Sequence, residues 1–131
     1  MTKKIEHKHL LVNAKVSKPL MSASEGINFL GNLVRKINMQ IIQGPYASYV
    51  TKDGNRGLTA VVMIETSHIA FHIWDEKDPG MLQFDLYTCS SLDHEFVLDY
   101  IDKHMGIVEM DWKLYDRETG FVLLEEGNKW L

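Results

Sequence analysis

The segment His68-Ile69-Ala70-Phe71-His72-Ile73-Trp74 sets two imidazoles and an indole at alternate positions, and Asp75 and Glu76 follow directly. Further on, Gln83, Asp85, Tyr87 and the single cysteine, Cys89, also alternate. These side chains could act as bases, acids, nucleophiles or metal ligands. A neutral imidazole abstracts protons near pH 7, and a thiol with an unperturbed pKa of about 8.5 is mostly protonated there and can donate. The alternation decides how the groups are displayed. On a strand, Ile69, Phe71 and Ile73 share one face while His68, Ala70, His72 and Trp74 share the other. His68 and His72 have the i, i+4 spacing of helical zinc motifs. Four residues of strand span roughly 13 Å, however, so the two rings cannot reach one zinc at about 2 Å, and no metal is expected. His7 and His9 lie closer together on one strand face, but solvated strand histidines account for them equally well. Asp75 and Glu76, before Lys77-Asp78-Pro79-Gly80, fit a solvated turn, and a lone cysteine fits a small buried hydrophobe. The chain has neither a glycine-rich phosphate cradle nor a Gly-x-Ser-x-Gly elbow.

The elements that position these groups follow from periodicity. His9 to Val16 reads as a strand closed by Ser17-Lys18-Pro19. Ser22-Ala23-Ser24-Glu25 fits a capping box in which serine and glutamate satisfy orphan amides reciprocally. The helix it opens carries Ile27, Leu30, Val34 and Ile37 at helical spacing, widened by Phe29 and Leu33, with Arg35 and Lys36 at the negative end of its dipole. Met39 to Val50 contains a second strand, and Thr51 to Gly57 is a loop. Leu58–Ile64, His68–Trp74 and Met81–Thr88 read as strands with short connections, which implies antiparallel neighbours. A second helix starts near Ser90 or Ser91, buries Leu92, Phe96, Tyr100 and Ile101, and stops at Lys103-His104-Met105-Gly106. Ile107 to Tyr115 alternates as another strand, and Phe121 to Leu124 is a short final apolar segment. The order predicts an α+β, two-layer sandwich: a mainly antiparallel sheet with two helices on one face.

Composition narrows the function classes. The chain has 131 residues, 14 Lys+Arg against 18 Asp+Glu, and a net charge of −4, so it carries no electrostatic footprint for nucleic acid. One domain over residues 1–131 is expected, since a chain of this length buries about two-thirds of its unfolded surface. One cysteine excludes an internal disulfide framework. The longest apolar run, Leu58 to Ile64, is too short for a bilayer. Met1-Thr2-Lys3-Lys4 leads into Ile5 to His9 without the apolar stretch of a signal peptide. A cytoplasmic protein bound to neither membrane nor nucleic acid is the expectation.

Residues 57 to 89 carry a more specific signal. Val61-Val62-Met63-Ile64-Glu65-Thr66-Ser67-His68 runs into His72-Ile73-Trp74-Asp75-Glu76, and Phe84-Asp85-Leu86-Tyr87-Thr88-Cys89 follows. This resembles the prokaryotic S-adenosylmethionine decarboxylase proenzymes, in which a valine-rich strand enters Glu-Ser-His. His-Thr-Trp-Pro-Glu and Asp-x-Phe-Thr-Cys-Gly come after it. The resemblance implies a cofactor made from the chain itself. Ser67 Oγ attacks the carbonyl of Thr66 to give an ester, and elimination leaves a pyruvoyl group at position 67, splitting the chain into residues 1–66 and 67–131. On the same resemblance His72 is the processing histidine, Thr59 the processing hydroxyl, and Cys89 the proton donor to the decarboxylated carbon. Glu76 lies by the substrate ribose, and the site forms in a homodimer. The pyruvoyl carbonyl condenses with the substrate amine as a Schiff base and acts as an electron sink. S-adenosylmethionine decarboxylation for spermidine synthesis is the implied activity.

The sequence departs from the family pattern at Thr66, where the family has glutamate, and at Thr59, where it has serine. Ile73, Asp75 and Ser90 replace threonine, proline and glycine, and Lys52 to Arg56 lacks the family's aromatic loop. Two other readings stay open: a pyruvoyl-dependent arginine or ornithine decarboxylase, and an unprocessed relative that binds a ligand or partner without catalysis.

Overall fold

A computed structural model describes residues 6–129, so the reading of Met1 to Ile5 as free of a leader lies outside the described residues. Strand β1 (Lys8–Val16) is followed by helix α1 (Ala23–Lys36) and strands β2 (Ile41–Val50), β3 (Gly57–Ile64), β4 (Ser67–Trp74) and β5 (Gly80–Thr88). Helix α2 (His94–Met105) and strands β6 (Ile107–Asp116) and β7 (Val122–Lys129) complete the order. The seven strands form one sheet in the order β2-β3-β4-β5-β1-β6-β7, and every neighbouring pair is antiparallel. The expected two-layer sandwich is therefore present, with β1 inserted between β5 and β6.

Strict alternation makes the two sheet faces unlike. Leu10, Val12, Leu58, Ala60, Val62, Ile69, Phe71, Ile73, Leu82, Phe84 and Leu86 are buried beneath the helices. Each large apolar side chain among them contributes about 1.5–3 kcal/mol by leaving water. Both helices lie on this face and touch each other: Tyr100 of α2 donates its hydroxyl to the Phe29 carbonyl of α1 at 2.8 Å. Burial pushes the Tyr100 phenol up to about 12. The other face carries His9, Leu11, Thr59, Val61, Met63, His68, His72, Trp74, Met81, Asp85 and Tyr87, none of them fully buried.

Three local readings are corrected. Ser22 caps α1, accepting from the Glu25 N–H at 3.2 Å, but the Glu25 carboxylate accepts from the Ser22 hydroxyl rather than the Ser22 amide, and Ile27 faces solvent. Helix α2 begins at His94, not near Ser90 or Ser91, because Asp93 is its cap and takes the Phe96 N–H at 3.2 Å. The Ser90 amide is already engaged by Thr88 Oγ1 at 3.1 Å. Val97, Leu98, Tyr100, Ile101 and Met105 face the core, while Phe96 stays on the rim stacked against Tyr100. Finally, β7 runs on to Lys129, past the short segment expected to end at Leu124.

Candidate functional site

The residues singled out from the sequence fall at two places, the opposite ends of β4. At its start, the chain leaves β3, turns through Glu65-Thr66 and enters β4 at Ser67, which pairs with Ile64 on one side and Thr88 on the other. Ser67 has φ of 139°, a left-handed value that L side chains rarely adopt and that stores strain at this peptide unit. The preceding carbonyl, Thr66 O, accepts the Cys89 backbone N–H at 2.8 Å. The Thr66 side chain is tied to the same neighbour: its Oγ1 accepts from Thr88 Oγ1 at 2.9 Å. Both the carbonyl and the side chain of residue 66 are thus held by the end of β5, which also places Cys89, partly buried, beside the Thr66–Ser67 peptide.

The far end of β4 is built from different groups. Thr59 of β3 faces His72 across the strand pair, and Thr59 Oγ1 lies 3.0 Å from His72 Nδ1. The Trp74 indole N–H donates to Asn55 Oδ1 at 2.9 Å, and Glu76 Oε1 accepts the Arg56 amide at 2.9 Å. Asp75 is not the solvated turn residue the sequence suggested. Only 1% of its side chain is accessible, and its carboxylate takes the Arg56 Nε–H at 2.7 Å and the Tyr49 hydroxyl at 2.6 Å. Those bonds push both partners up: Tyr49 through its hydrogen bond to Asp75 first and burial second, Arg56 chiefly through its hydrogen bond to the same carboxylate. A second Arg56 bond, from Nη2 to the Asp75 carbonyl at 2.9 Å, fastens the loop before β3 to the end of β4. Gly57 permits this approach, since a Cβ there would lie 1.7 Å from the Ile73 carbonyl oxygen. Beside the clamp, Trp74, Glu76, Pro79, Met81 and Lys15 line an open cleft of about 680 Å³.

The two ends do not meet within one chain. His72 is five residues along β4 from Ser67, about 16 Å at the rise of an extended strand, and Glu76 lies farther still. Cys89 is brought to Ser67, and Thr59 to His72; Thr59, His72 and Glu76 are not brought to Ser67.

Sequence reasoning missed a third cluster, on the open face near Ser67. Asp85 places one carboxylate oxygen on His9 Nε2 and the other 3.3 Å from His68 Nε2. His9, read from the sequence as a solvated histidine, keeps only 13% of its side chain accessible. Burial alone would raise Asp85, but the bonds from His9 and His68 outweigh it and hold the carboxyl below its ordinary range. Two imidazoles and a carboxylate within 4.8 Å have the composition of a metal set. The surroundings oppose that use. Arg117 Nη1 lies 2.9 Å from His9 Nδ1, and a guanidinium only donates. A metal-bound histidine needs its other nitrogen protonated and donating, which the guanidinium opposes. The signal for this cluster was the period-2 pattern, but which strands are neighbours is a property of the fold.

Residues 8–118 match the S-adenosylmethionine decarboxylase family. The chain belongs to that family. Its relatives include the "S-adenosylmethionine decarboxylase proenzyme" of Thermococcus onnurineus, 43% identical over 56 residues that cover 42% of this chain and 38% of the relative. The protein of the same name from Picrophilus torridus is 28% identical over 102 residues, 75% of this chain and 72% of the relative. That from Persephonella marina is 36% identical over 64 residues, 48% of this chain and 47% of the relative. For the Thermococcus protein the match spans well under half of the relative's length.

Proposed function

We propose that this chain is a self-cleaving, pyruvoyl-dependent decarboxylase that converts S-adenosylmethionine to its decarboxylated form, the aminopropyl donor for spermidine synthesis. The observation that carries the reading is the Thr66–Ser67 peptide: a strained serine follows a carbonyl that already receives an N–H bond from Cys89. Ser67 Oγ attacks that carbonyl, and the Cys89 amide stabilises the negative charge that develops on Thr66 O, as an oxyanion-hole donor does. The Thr66–Ser67 C–N bond breaks as the ester C–O bond forms, and the freed nitrogen takes up the hydroxyl proton. A base then removes the Ser67 α-proton, the Thr66 carboxylate leaves with Oγ, and water replaces the nitrogen as ammonia. This leaves residues 1–66 and 67–131 as two chains of one domain, with a pyruvoyl group at position 67.

The residues beside Ser67 fit such a group: the strained backbone is relieved when position 67 becomes planar, and Cys89 is at hand as an acid. When present, the group supplies the electron sink for carbon–carbon cleavage. Cys89 Sγ delivers the proton that replaces the departing carboxylate.

The base and the substrate cleft come from a second copy in this reading. Because His72 stands about 16 Å along the strand from Ser67 in the same chain, it cannot reach the Ser67 α-proton there. A two-fold partner that packs its open sheet face on this one brings its own His72, Thr59 and Glu76 to Ser67. Leu11, Val61, Met63 and Met81 give that face exposed apolar surface to bury. Glu76 is suited to the ribose hydroxyls. The net charge of −4 does not favour nucleic acid, and no helix among the described residues is long and apolar enough to cross a membrane.

Intact-mass measurement of the purified protein tests the reading. Two fragments near half size, the second with a blocked terminus, are expected, together with carbon dioxide release from S-adenosylmethionine. Release from arginine or ornithine instead would reassign the substrate. A single 15.1 kDa species that persists on long incubation would leave the non-catalytic reading in its place.

A further inference from the structure

We propose that Arg117, His9 and Asp85 form a hydrogen-bonded relay that holds His68 as a neutral base, with Nδ1 bare, on the sheet face that carries Cys89. Arg117 Nη1, 2.9 Å from His9 Nδ1, can only donate, so that nitrogen carries a lone pair and His9 is protonated at Nε2. His9 Nε2–H therefore donates to Asp85 Oδ1. An ionised carboxylate only accepts, so Oδ2, 3.3 Å from His68 Nε2, fixes the His68 proton on Nε2 as well. His68 Nδ1 is left as a lone pair with no hydrogen-bond partner among the described residues.

The relay is anchored at its Arg117 and His9 end. Arg117 sits over the Tyr87 ring at 4.8 Å and the Phe121 ring at 5.2 Å, and its amide donates to the His7 carbonyl at 2.8 Å. The Tyr87 hydroxyl lies 3.3 Å from His7 Nδ1, and the His9 ring packs on Tyr87 with 5.3 Å between centroids. Asp85 and Tyr87 from β5, His9 from β1 and Arg117 beyond β6 are thus the titratable and charged groups around His68, while β3 offers Met63 opposite it. His68 itself keeps 39% of its side chain accessible in the single chain. It pairs with Tyr87 across β4–β5, which makes it a diagonal neighbour of Cys89, about 7–8 Å away at the backbone, within reach through a substrate amine or one water.

The role assigned to His68 rests on the decarboxylase reading. A substrate amine must lose a proton before it can act as a nucleophile, and His68 Nδ1 accepts it, the imidazolium being held by Asp85. Cys89 Sγ gives its own proton to the substrate α-carbon as carbon dioxide departs, and His68 Nδ1–H restores the thiol. One proton leaves nitrogen and one reaches carbon, so His68 and Cys89 end as they began. His68 is then a catalytic residue, and Arg117, His9 and Asp85 are positioning residues.

Nitrogen-15 spectra of the histidines in the full-length protein, above the imidazole titration, read the relay without any turnover. Both His9 and His68 are expected in the Nε2–H form, with His9 Nδ1 shifted as a bonded acceptor. Arg117→Met, at an exposed position, should move the His9 Nδ1 resonance to that of an unbonded nitrogen. Asp85→Asn, whose amide can donate, should turn His68 towards the Nδ1–H form. It should also lower kcat by about 10²-fold, the scale of a lost general base, with KM within about threefold and chain cleavage intact. His68 found in the Nδ1–H form in the unsubstituted protein would overturn the relay, as would an unchanged kcat in a soluble Asp85→Asn variant. Stoichiometric zinc binding that is lost in His9→Ala would overturn it in favour of a metal site. A protein that shows the expected spectra but is never cut leaves the relay standing and removes the decarboxylase reading instead.

Discussion

The two ends of β4 solve different problems with different materials. At the Ser67 end the backbone does most of the work: a positive φ, a carbonyl bonded to the Cys89 amide, and a threonine pair that pins residue 66 to β5. At the Trp74 end side chains do it, with Asp75 drawing Arg56 and Tyr49 inward so that Glu76 and Trp74 are held beside a cleft. In the proposed reading, one end holds the bond that is cut and the other supplies a base and a place for a ligand. Strand geometry keeps them about 16 Å or more apart, so in the proposed reading each end needs a second copy to complete a site.

Substitutions separate the ends. Ser67→Ala has the largest expected effect, complete loss of cleavage, read as one 15.1 kDa species by intact mass. At the same end Cys89→Ala keeps its amide and should still be cut, while turnover falls by about 10²–10⁴, the range for a missing proton donor. Normal turnover would show that the donor is another group. At the opposite end His72→Ala should slow cleavage by a comparable factor of about 10² or more, although it touches nothing at Ser67 in its own chain. Cleavage at the normal rate would remove His72 from the processing site.

Smaller effects are expected at Asp75 and Asp85. Asp75→Asn weakens the two hydrogen bonds that its carboxylate takes from Arg56 and Tyr49 and should raise KM by about tenfold, equivalent to about 1.4 kcal/mol, with cleavage unchanged; an effect on cleavage instead would mean that the clamp supports the wrong end. The smallest effect is a pH dependence of stability. Asp85 is depressed in the folded chain from its ordinary 3.8, burial being outweighed by its two imidazole partners. Its contribution is thus fully present above that value and is lost as pH falls through the lower, folded one. Denaturant midpoints of the unsubstituted protein and Asp85→Asn should differ at pH 6 and converge at low pH.

Much of the helix-covered face was legible because one physical rule wrote it. Ile69, Phe71 and Ile73 alternate, and so do Leu82, Phe84 and Leu86, and all are buried as alternation requires. The start of α2 was misplaced because serine and aspartate are both good caps, and here it is the Asp93 carboxylate that takes the Phe96 N–H. Ser67, His72, Cys89, Thr59 and Glu76 were named through the motif, but their separation into two groups became plain only once the strands were placed. Asp75 and His9 were misread as solvated. Their partners, Arg56 and Tyr49 for one and Asp85 and Arg117 for the other, come from strands or loops 19 or more residues away. Such pairings depend on strand order, and the insertion of β1 between β5 and β6 leaves no local mark on the chain.

In the proposed reading a complete site takes Ser67 from one chain and His72 from another. Co-expression of Ser67→Ala with His72→Ala, followed by intact-mass analysis of the co-purified chains, tests it most directly. Ser67→Ala alone should stay whole, and His72→Ala alone should be cut only slowly. In the mixture the His72→Ala chain should appear as its two fragments, because a Ser67→Ala partner supplies the missing imidazole. A His72→Ala chain that stays whole in a verified mixed dimer would contradict the account.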